Sequence, residues 1–254
     1  MVRLIFIGVF VSSCARKIAA PELYIARKGK DKIGMEDVDV SIDRVIAGVE
    51  KKSKVMTDDD KEITAYHEVG HALILKLVKS DDVLHKVSII PRGMALGVTW
   101  HKPKDESVSV RKTALLAKIA MALGGRAAEE IIYGKDNITT GASQDIKQAT
   151  DTARAMVMKY GMSDKVGFIN FEQGEDQVFM GRDLGHMKTY GTDTVNTIEA
   201  EVKRIIDECY TQAKKILLEK EDVLRKGAEV LMQKEKIGQE EFEAIYYGRT
   251  EEDQ

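Results

Sequence analysis

Two histidines and a glutamate in one short stretch have the spacing of a metal-dependent hydrolase. His67 and His71 are four residues apart, and Glu68 directly follows the first of them. Residues at i and i+4 lie on one face of a helix, so both imidazoles can bind the same metal ion. Zinc accepts imidazole nitrogens at about 2.0–2.1 Å and lowers the pKa of a bound water to about 7. The stretch therefore predicts a zinc site at His67 and His71, with Glu68 as the base that takes a proton from that water.

The segment around this pattern is predicted to be a buried helix from residue 57 to about residue 79. Thr57 supplies a hydroxyl cap, and three aspartates follow it at the positive end of the helix dipole. Residues 72–78 are apolar nearly all round, which is typical of a buried helix. The histidines outside the pattern are interpreted as ordinary polar residues; they are His85, His101 and His186.

A third protein ligand is expected, because catalytic zinc sites use three and leave a fourth position open. Glu129 and Asp145 are both candidates, since each lies on a predicted helix that follows the histidine pair. Spacing does not choose between them. A carboxylate in the first turn of a helix often only complements the helix dipole. For Asp145 this is the alternative to a role as a metal ligand.

The fold is predicted to be mainly α-helical with one small β-element. Two extended runs, 87–90 and 95–100, flank the turn residues Pro91-Arg92-Gly93. Gly124-Gly125 is predicted to separate two helices. The further helices are predicted at 35–47, 108–123, 126–133, 143–160 and 192–219, followed by two shorter ones, the last ending at Gly248.

Composition limits the classes of function. The chain is 43% hydrophobic and 32% charged, which permits a normal core. A formal net charge of −3 argues against a nucleic-acid binder that works through bulk basicity. The two cysteines form no disulfide framework, and Cys209 is interpreted as a small buried hydrophobic residue.

Five short motifs follow one another in a characteristic order. They are HEVGH at 67–71, IIPRGMALG at 89–97, GGRAAEE at 124–130, TGASQDI at 140–146 and VFMGR at 178–182. Their order and spacing resemble the FtsH family of membrane-associated, ATP-dependent zinc proteases, over about residues 21–247. The resemblance implies that Asp145 completes the zinc site with His67 and His71. It also implies that Glu129 orients a ligand histidine.

The resemblance gives the second extended run a role in substrate binding. An added strand makes main-chain hydrogen bonds without demanding a particular sequence, and Gly97 would let the two backbones approach closely. A plain hairpin strand is the alternative. The residues predicted to bind substrate in this way are Ala95, Leu96, Gly97, Val98 and Thr99.

Four regions are expected along the chain. They are an irregular apolar segment at 1–20, a remnant of an ATPase lid with a linker at 21–55, the zinc peptidase at 56–247 and a disordered tail at 248–254. The chain contains no phosphate-binding loop of the Gly-x-x-x-x-Gly-Lys-Ser/Thr type, so no ATP site is expected in it. Both a truncated gene product and a complete short protein with its own targeting signal agree with this organisation.

The sequence thus predicts a zinc metalloendopeptidase that degrades unfolded polypeptides and serves protein quality control. The resemblance implies a homo-hexamer or a mixed ring with FtsH-type subunits, in the cytoplasm at the inner membrane surface. Export directed by the apolar run at 4–11 is the alternative location. The rival function is a non-catalytic partner subunit of full-length FtsH rings, against which the intact His67, Glu68 and His71 pattern argues.

Overall fold

The computed structural model describes residue 34 and residues 56–80, 82–91, 96–103, 109–171 and 191–249. The chain divides into two compact units, residues 1–55 with 90–96 and residues 56–89 with 97–254. The elements of the fold belong to the second unit. The expected regions 1–20 and 21–55 and the predicted helix 35–47 lie outside the described residues, except for Gly34.

The described chain is mainly α-helical, as predicted, with a small three-stranded sheet. The elements in chain order are α1 (Asp58–Leu77), β1 (Asp82–Ser88), β2 (Val98–Pro103), α2 (Lys112–Tyr133), a 3-10 turn (Lys135–Asn137), α3 (Ser143–Met158), α4 (Thr192–Glu219), α5 (Glu221–Lys234), β3 (Lys236–Gly238) and α6 (Gln239–Tyr247). Among these helices, none is both long and apolar enough to cross a lipid bilayer.

Helix α1 begins where the capping pattern predicts. The Thr57 hydroxyl accepts a hydrogen bond from the Asp60 amide at 3.1 Å, which satisfies one of the free N–H groups of the first turn. The second half of α1 is buried from Ala72 to Leu75, in agreement with its apolar composition. Thr64 and Ala65, which precede the histidines, are buried as well, so α1 is held in the core on both sides of His67 and His71.

Helix α2 is continuous, so the predicted break at Gly124-Gly125 is wrong. The reason is the packing of α2 against α1. A Cβ atom on Gly70 would lie 2.7 Å from the Gly124 carbonyl oxygen, and one on Gly124 would lie 2.9 Å from the Gly70 oxygen. Because the two glycines face each other, the two backbones approach more closely than side chains would allow. Tertiary contact thus outweighs the poor helix propensity of glycine.

The sheet has the order β2-β1-β3, and both pairs are antiparallel. The predicted boundaries of its strands are displaced: β1 spans Asp82–Ser88 rather than 87–90, and β2 spans Val98–Pro103 rather than 95–100. The short strand β3 was not predicted. Among the described residues, β2 has a strand partner on one side only, so its other side is an open edge.

The C-terminal half agrees closely with the predicted pattern. Helix α4 covers the predicted range, and α6 ends at Tyr247 with Gly248 in the left-handed conformation. Cys209 is buried, and burial raises the pKa of its thiol to about 11. The largest fully buried apolar side chains are Phe242, Leu73, Ile74, Ile119, Met156, Leu217, Leu224, Leu231 and Ile237.

One buried carboxylate ties the loop after α3 to helix α4. Glu201 is only 1% exposed and accepts hydrogen bonds from Ser163 Oγ at 2.8 Å and from Arg204 Nε at 3.1 Å. The Lys165 ammonium lies 3.0 Å from the same carboxylate. The hydrogen bond from Arg204 lowers the pKa of Glu201 to about 2; burial opposes the shift, and Lys165 and Ser163 add to it.

Candidate metal centre

Helix α1 carries His67, Glu68 and His71, and all three side chains are buried. The two histidines are one helical turn apart and their ring centroids are 4.7 Å apart. Asp145 comes from the first turn of α3 and is partly exposed, with 26% of its side chain accessible. Two helices therefore bring three candidate ligands to one point.

The three candidate ligand atoms have separations close to those of a tetrahedral metal site, some shorter and one longer. His67 Nε2 lies 3.0 Å from His71 Nε2 and 3.2 Å from Asp145 Oδ2. The third separation, from His71 Nε2 to Asp145 Oδ2, is 3.7 Å. Tetrahedral zinc with bonds of about 2.0–2.1 Å requires ligand atoms about 3.3–3.4 Å apart. In the part of the chain that the structure describes, this is the one group of three such residues that could hold a metal ion.

The other ring nitrogens explain why both Nε2 atoms can act as ligands. His71 Nδ1 lies 2.7 Å from the Met121 carbonyl oxygen, which can only accept, so His71 Nδ1 carries the proton. His67 Nδ1 lies 2.7 Å from Glu129 Oε1 and donates to that carboxylate. In the neutral imidazoles both Nε2 lone pairs then converge at 3.0 Å, an arrangement that a cation between them favours. The residues present fit a metal ion.

The electrostatics of the centre also favour a cation. Burial disfavours a positive charge on His67, but hydrogen bonds to Asp145 and Glu129 outweigh burial and raise the pKa of this imidazole to about 10. The surroundings thus favour a proton on the ring, and a bound metal ion would replace that proton and leave the imidazole neutral. Burial would raise the pKa of Asp145, yet the two histidines lower it below its usual range, so Asp145 is ionised. Asp145 thus brings a full negative charge to the centre.

Glu129 lies behind His67 and is 1% exposed. Its carboxylate accepts from His67 and also from the Thr139 amide at 2.8 Å and the Thr139 hydroxyl at 3.2 Å. Burial would raise the pKa of Glu129, but the hydrogen bonds from His67 and Thr139 lower it. Glu129 is not in the three-residue group of candidate ligands. Spacing in the sequence did not choose between Glu129 and Asp145 as the third ligand. Asp145 Oδ2 lies 3.2 and 3.7 Å from the two Nε2 atoms, whereas Glu129 contacts Nδ1 of His67.

Glu68 points toward the sheet. Its Oε2 atom lies 2.7 Å from the Thr99 hydroxyl on β2, and Gly97 packs against its carboxylate. Burial raises the pKa of Glu68, while the nearby His71 and His67 oppose that increase. A raised pKa suits a carboxylate that takes up and releases a proton near neutral pH.

The predicted substrate strand is only partly within the described structure. Val98 and Thr99 lie in β2, Leu96 and Gly97 precede it, and Ala95 lies outside the described residues.

Glu129, which the resemblance implies orients a ligand histidine, lies 2.7 Å from His67 Nδ1. Two other supporting residues were not predicted: Met121, which holds His71, and Thr139, which holds Glu129. Met121 acts through a backbone carbonyl and carries no side-chain signal, whereas Thr139 directly precedes the recognised TGASQDI motif.

Comparison with known proteins identifies the family. Residues 54–245 match peptidase family M41. The chain belongs to peptidase family M41. The family match covers the metal centre, Glu68 and β2. Together with the relatives that follow, it confirms the resemblance to FtsH-type proteases.

Curated relatives of this M41 chain are named ATP-dependent zinc metalloprotease FtsH. The protein of Myxococcus xanthus is 42% identical over 226 residues, which are 89% of this chain and 35% of the relative. That of Caldicellulosiruptor bescii is 43% identical over 225 residues, 89% of this chain and 36% of the relative. That of Ruminiclostridium cellulolyticum is 46% identical over 224 residues, 88% of this chain and 36% of the relative. The chain thus spans little more than a third of the length of these relatives.

Proposed function

We propose that this M41 chain is a zinc metalloendopeptidase that hydrolyses unfolded polypeptides, with zinc held by His67, His71 and Asp145. The observation that carries the proposal is the triangle of ligand atoms, 3.0, 3.2 and 3.7 Å on its sides, with Glu68 adjacent on the same helix. We infer that the peptidase unit covers residues 56–247.

Two imidazole nitrogens and one carboxylate oxygen form a donor set that suits zinc. The names of the curated relatives also state zinc. Bound zinc would supply a Lewis acid for the scissile carbonyl and would lower the pKa of a water molecule. Glu129 would hold the His67 ring in the orientation that presents Nε2.

Glu68 is the group proposed to move protons. It is not among the candidate ligands, so its carboxylate stays available. It would take a proton from the attacking water and give it to the leaving amine. Burial raises its pKa toward the range in which both transfers can occur near neutral pH, although His71 and His67 limit the increase.

The open edge of β2 is the proposed site for the substrate backbone. An extended peptide can add there as a further strand, held by main-chain hydrogen bonds. The proposal is supported by the position of Thr99, which belongs to β2 and contacts Glu68. Such binding requires an extended segment, and for this reason unfolded polypeptides are the proposed substrates.

Assembly and location are proposed from the family alone. We infer a homo-hexamer or a mixed ring with FtsH-type subunits, in the cytoplasm at the inner membrane surface, with protein quality control as the role. The non-catalytic partner subunit is disfavoured, because such a subunit does not need Glu68 buried beside a complete ligand set.

The proposed function is tested by degradation of casein, a loosely folded substrate, and of a tightly folded protein by the purified chain. Cleavage of casein should cease on treatment with a zinc chelator and return when zinc is added. The folded protein should resist, because a free energy of unfolding of about 5–15 kcal/mol keeps its unfolded fraction very small. ATP should change neither rate. Casein cleavage that survives complete zinc removal would contradict the proposal.

A further inference from the structure

The carboxylate of Glu68 is fixed by a hydroxyl from the sheet. Thr99 Oγ1 lies 2.7 Å from Glu68 Oε2 and 2.9 Å from the backbone oxygen of the same residue. The single hydroxyl proton is shared between these two acceptors, and the shorter contact is with the carboxylate. One threonine therefore holds the side chain of Glu68 and the turn of α1 that carries it, which restricts the rotation of the carboxylate.

Gly97 restricts the same carboxylate at another point. A Cβ atom there would lie 2.6 Å from Glu68 Oε1, 2.7 Å from Glu68 Cγ and 2.8 Å from a methyl group of Thr64. These distances leave space for a hydrogen atom only. Gly97 and Thr99 are two residues apart, which in extended chain places them on the same face. Both carboxylate oxygens of Glu68 thus face residues of one short segment.

We propose that Thr99 is a positioning residue for Glu68, so that the strand offered to the substrate also sets the orientation of the base. This inference rests on the proposed peptidase function. A glutamate has three rotatable side-chain bonds, and a base acts efficiently only within hydrogen-bond reach of the proton it takes. Thr99 supplies the contact that selects one orientation before the substrate arrives.

Substitution of Thr99 separates the hydroxyl from the shape of the side chain. Thr99→Val removes the O–H group and keeps the branched Cβ that suits a strand, whereas Thr99→Ser keeps the O–H group. A hydrogen bond to a charged group has an effect of about 10- to 100-fold on an equilibrium or a rate. We expect Thr99→Val to lower kcat on an unfolded peptide by about that factor. KM and zinc content should stay close to those of the parent chain, and Thr99→Ser should restore most of kcat.

Two controls distinguish positioning from general damage. Thr197→Val removes an exposed hydroxyl that bonds only the Asp193 carbonyl on α4, and it should leave kcat unchanged. Adding Thr99→Val to Glu68→Gln should lower the residual rate far less than Thr99→Val lowers the rate of the parent, because the effect passes through the carboxylate. If Thr99→Val does not fold, Thr99→Ala serves in its place, since alanine removes the hydroxyl and is smaller.

The contact is also measured without activity, by a double-mutant cycle on the free energy of unfolding. Thr99→Val and Glu68→Ala should be non-additive in denaturant titrations, because both remove the hydrogen bond between the two side chains, whereas the Thr99 contact with the Glu68 backbone oxygen survives Glu68→Ala. Three results would each overturn the inference. They are additive losses in the cycle, a kcat of Thr99→Val equal to that of the parent (with or without a rise in KM), and a loss of zinc from Thr99→Val. A parent chain that binds zinc and cleaves nothing would instead contradict the proposed function, and the cycle would still test the contact.

Discussion

Gly125 should be required for zinc binding although it offers no ligand. A Cβ atom at this position would lie 2.4 Å from His67 Nε2, 2.5 Å from Cε1 and 2.6 Å from Cδ2, directly on the imidazole ring. Carbon atoms in contact are about 3.5–4.0 Å apart, so the ring must move by about 1 Å in Gly125→Ala. Metal–ligand distances tolerate about 0.2 Å.

Loss of a ligand's hydrogen-bond partner weakens metal binding by about 10- to 100-fold. Because Gly125→Ala displaces the ligand itself, we expect it to weaken zinc binding by at least as much. Competition with a chromophoric chelator measures the affinity. Gly124→Ala is the matched control, because its Cβ would meet the Gly70 oxygen at 2.9 Å and Ile74 Cγ1 at 3.0 Å rather than the ring. That variant should lose about 1–3 kcal/mol of unfolding free energy, as overpacked sites do, with a smaller effect on zinc.

A second control is Gly191→Ala, whose Cβ would meet no atom of the described residues. It should leave zinc affinity unchanged and lower the free energy of unfolding only slightly, because alanine is a poorer N-cap for α4 than glycine. Wild-type zinc affinity in Gly125→Ala would refute the reasoning, because it would mean that the His67 ring does not lie under α2 as described. Equal zinc loss in Gly124→Ala and Gly125→Ala would assign the effect to helix packing rather than to the ring.

Three further predictions concern other parts of the molecule. Asp145→Asn should strip zinc from the purified chain, whereas Glu129→Gln should weaken affinity by about 10- to 100-fold; metal analysis with the reverse order would make Glu129 the ligand. Because the folded pKa of Glu201 is about 2, its stabilising effect is present above its ordinary value of 4.5 and disappears as pH falls toward 2. Glu201→Gln should therefore be less stable than the parent at pH 7 and should lose less stability on acidification, in denaturant titrations at both pH values. Val98→Pro removes one backbone donor from β2, and cleavage should fall while zinc content and thermal stability hold; unfolding would place that donor in the pairing with β1.

Elements with a strong local pattern could be predicted from the sequence. Helix α4 repeats apolar residues every three or four positions from 195 to 216, which is about six turns, and its predicted ends agree with Thr192–Glu219. The start of α1 was predicted because Thr57 and the aspartates after it are a local capping signal. Strand β3 is only three residues long, and so short a segment shows no alternation to detect.

The errors arise where a distant contact decides. Gly124 and Gly125 resemble a helix break, but they lie within α2 because Gly70 and the His67 ring pack against them. For the candidate site, His67, Glu68 and His71 follow from spacing, since i and i+4 share a helix face. The choice of Asp145 over Glu129 needed the family resemblance, because which carboxylate meets both Nε2 atoms depends on how α2 packs against α1 and how α3 packs against α2.

The central claim is that Glu68 acts as the base beside a zinc ion that it does not bind. Glu68→Gln keeps the shape and the Thr99 contact while removing the basic carboxylate. We expect this variant to hold close to one zinc per chain by metal analysis and to lose casein cleavage by orders of magnitude. Zinc retention with parental turnover would contradict the assignment of the base, and loss of zinc would make Glu68 part of the ligand set.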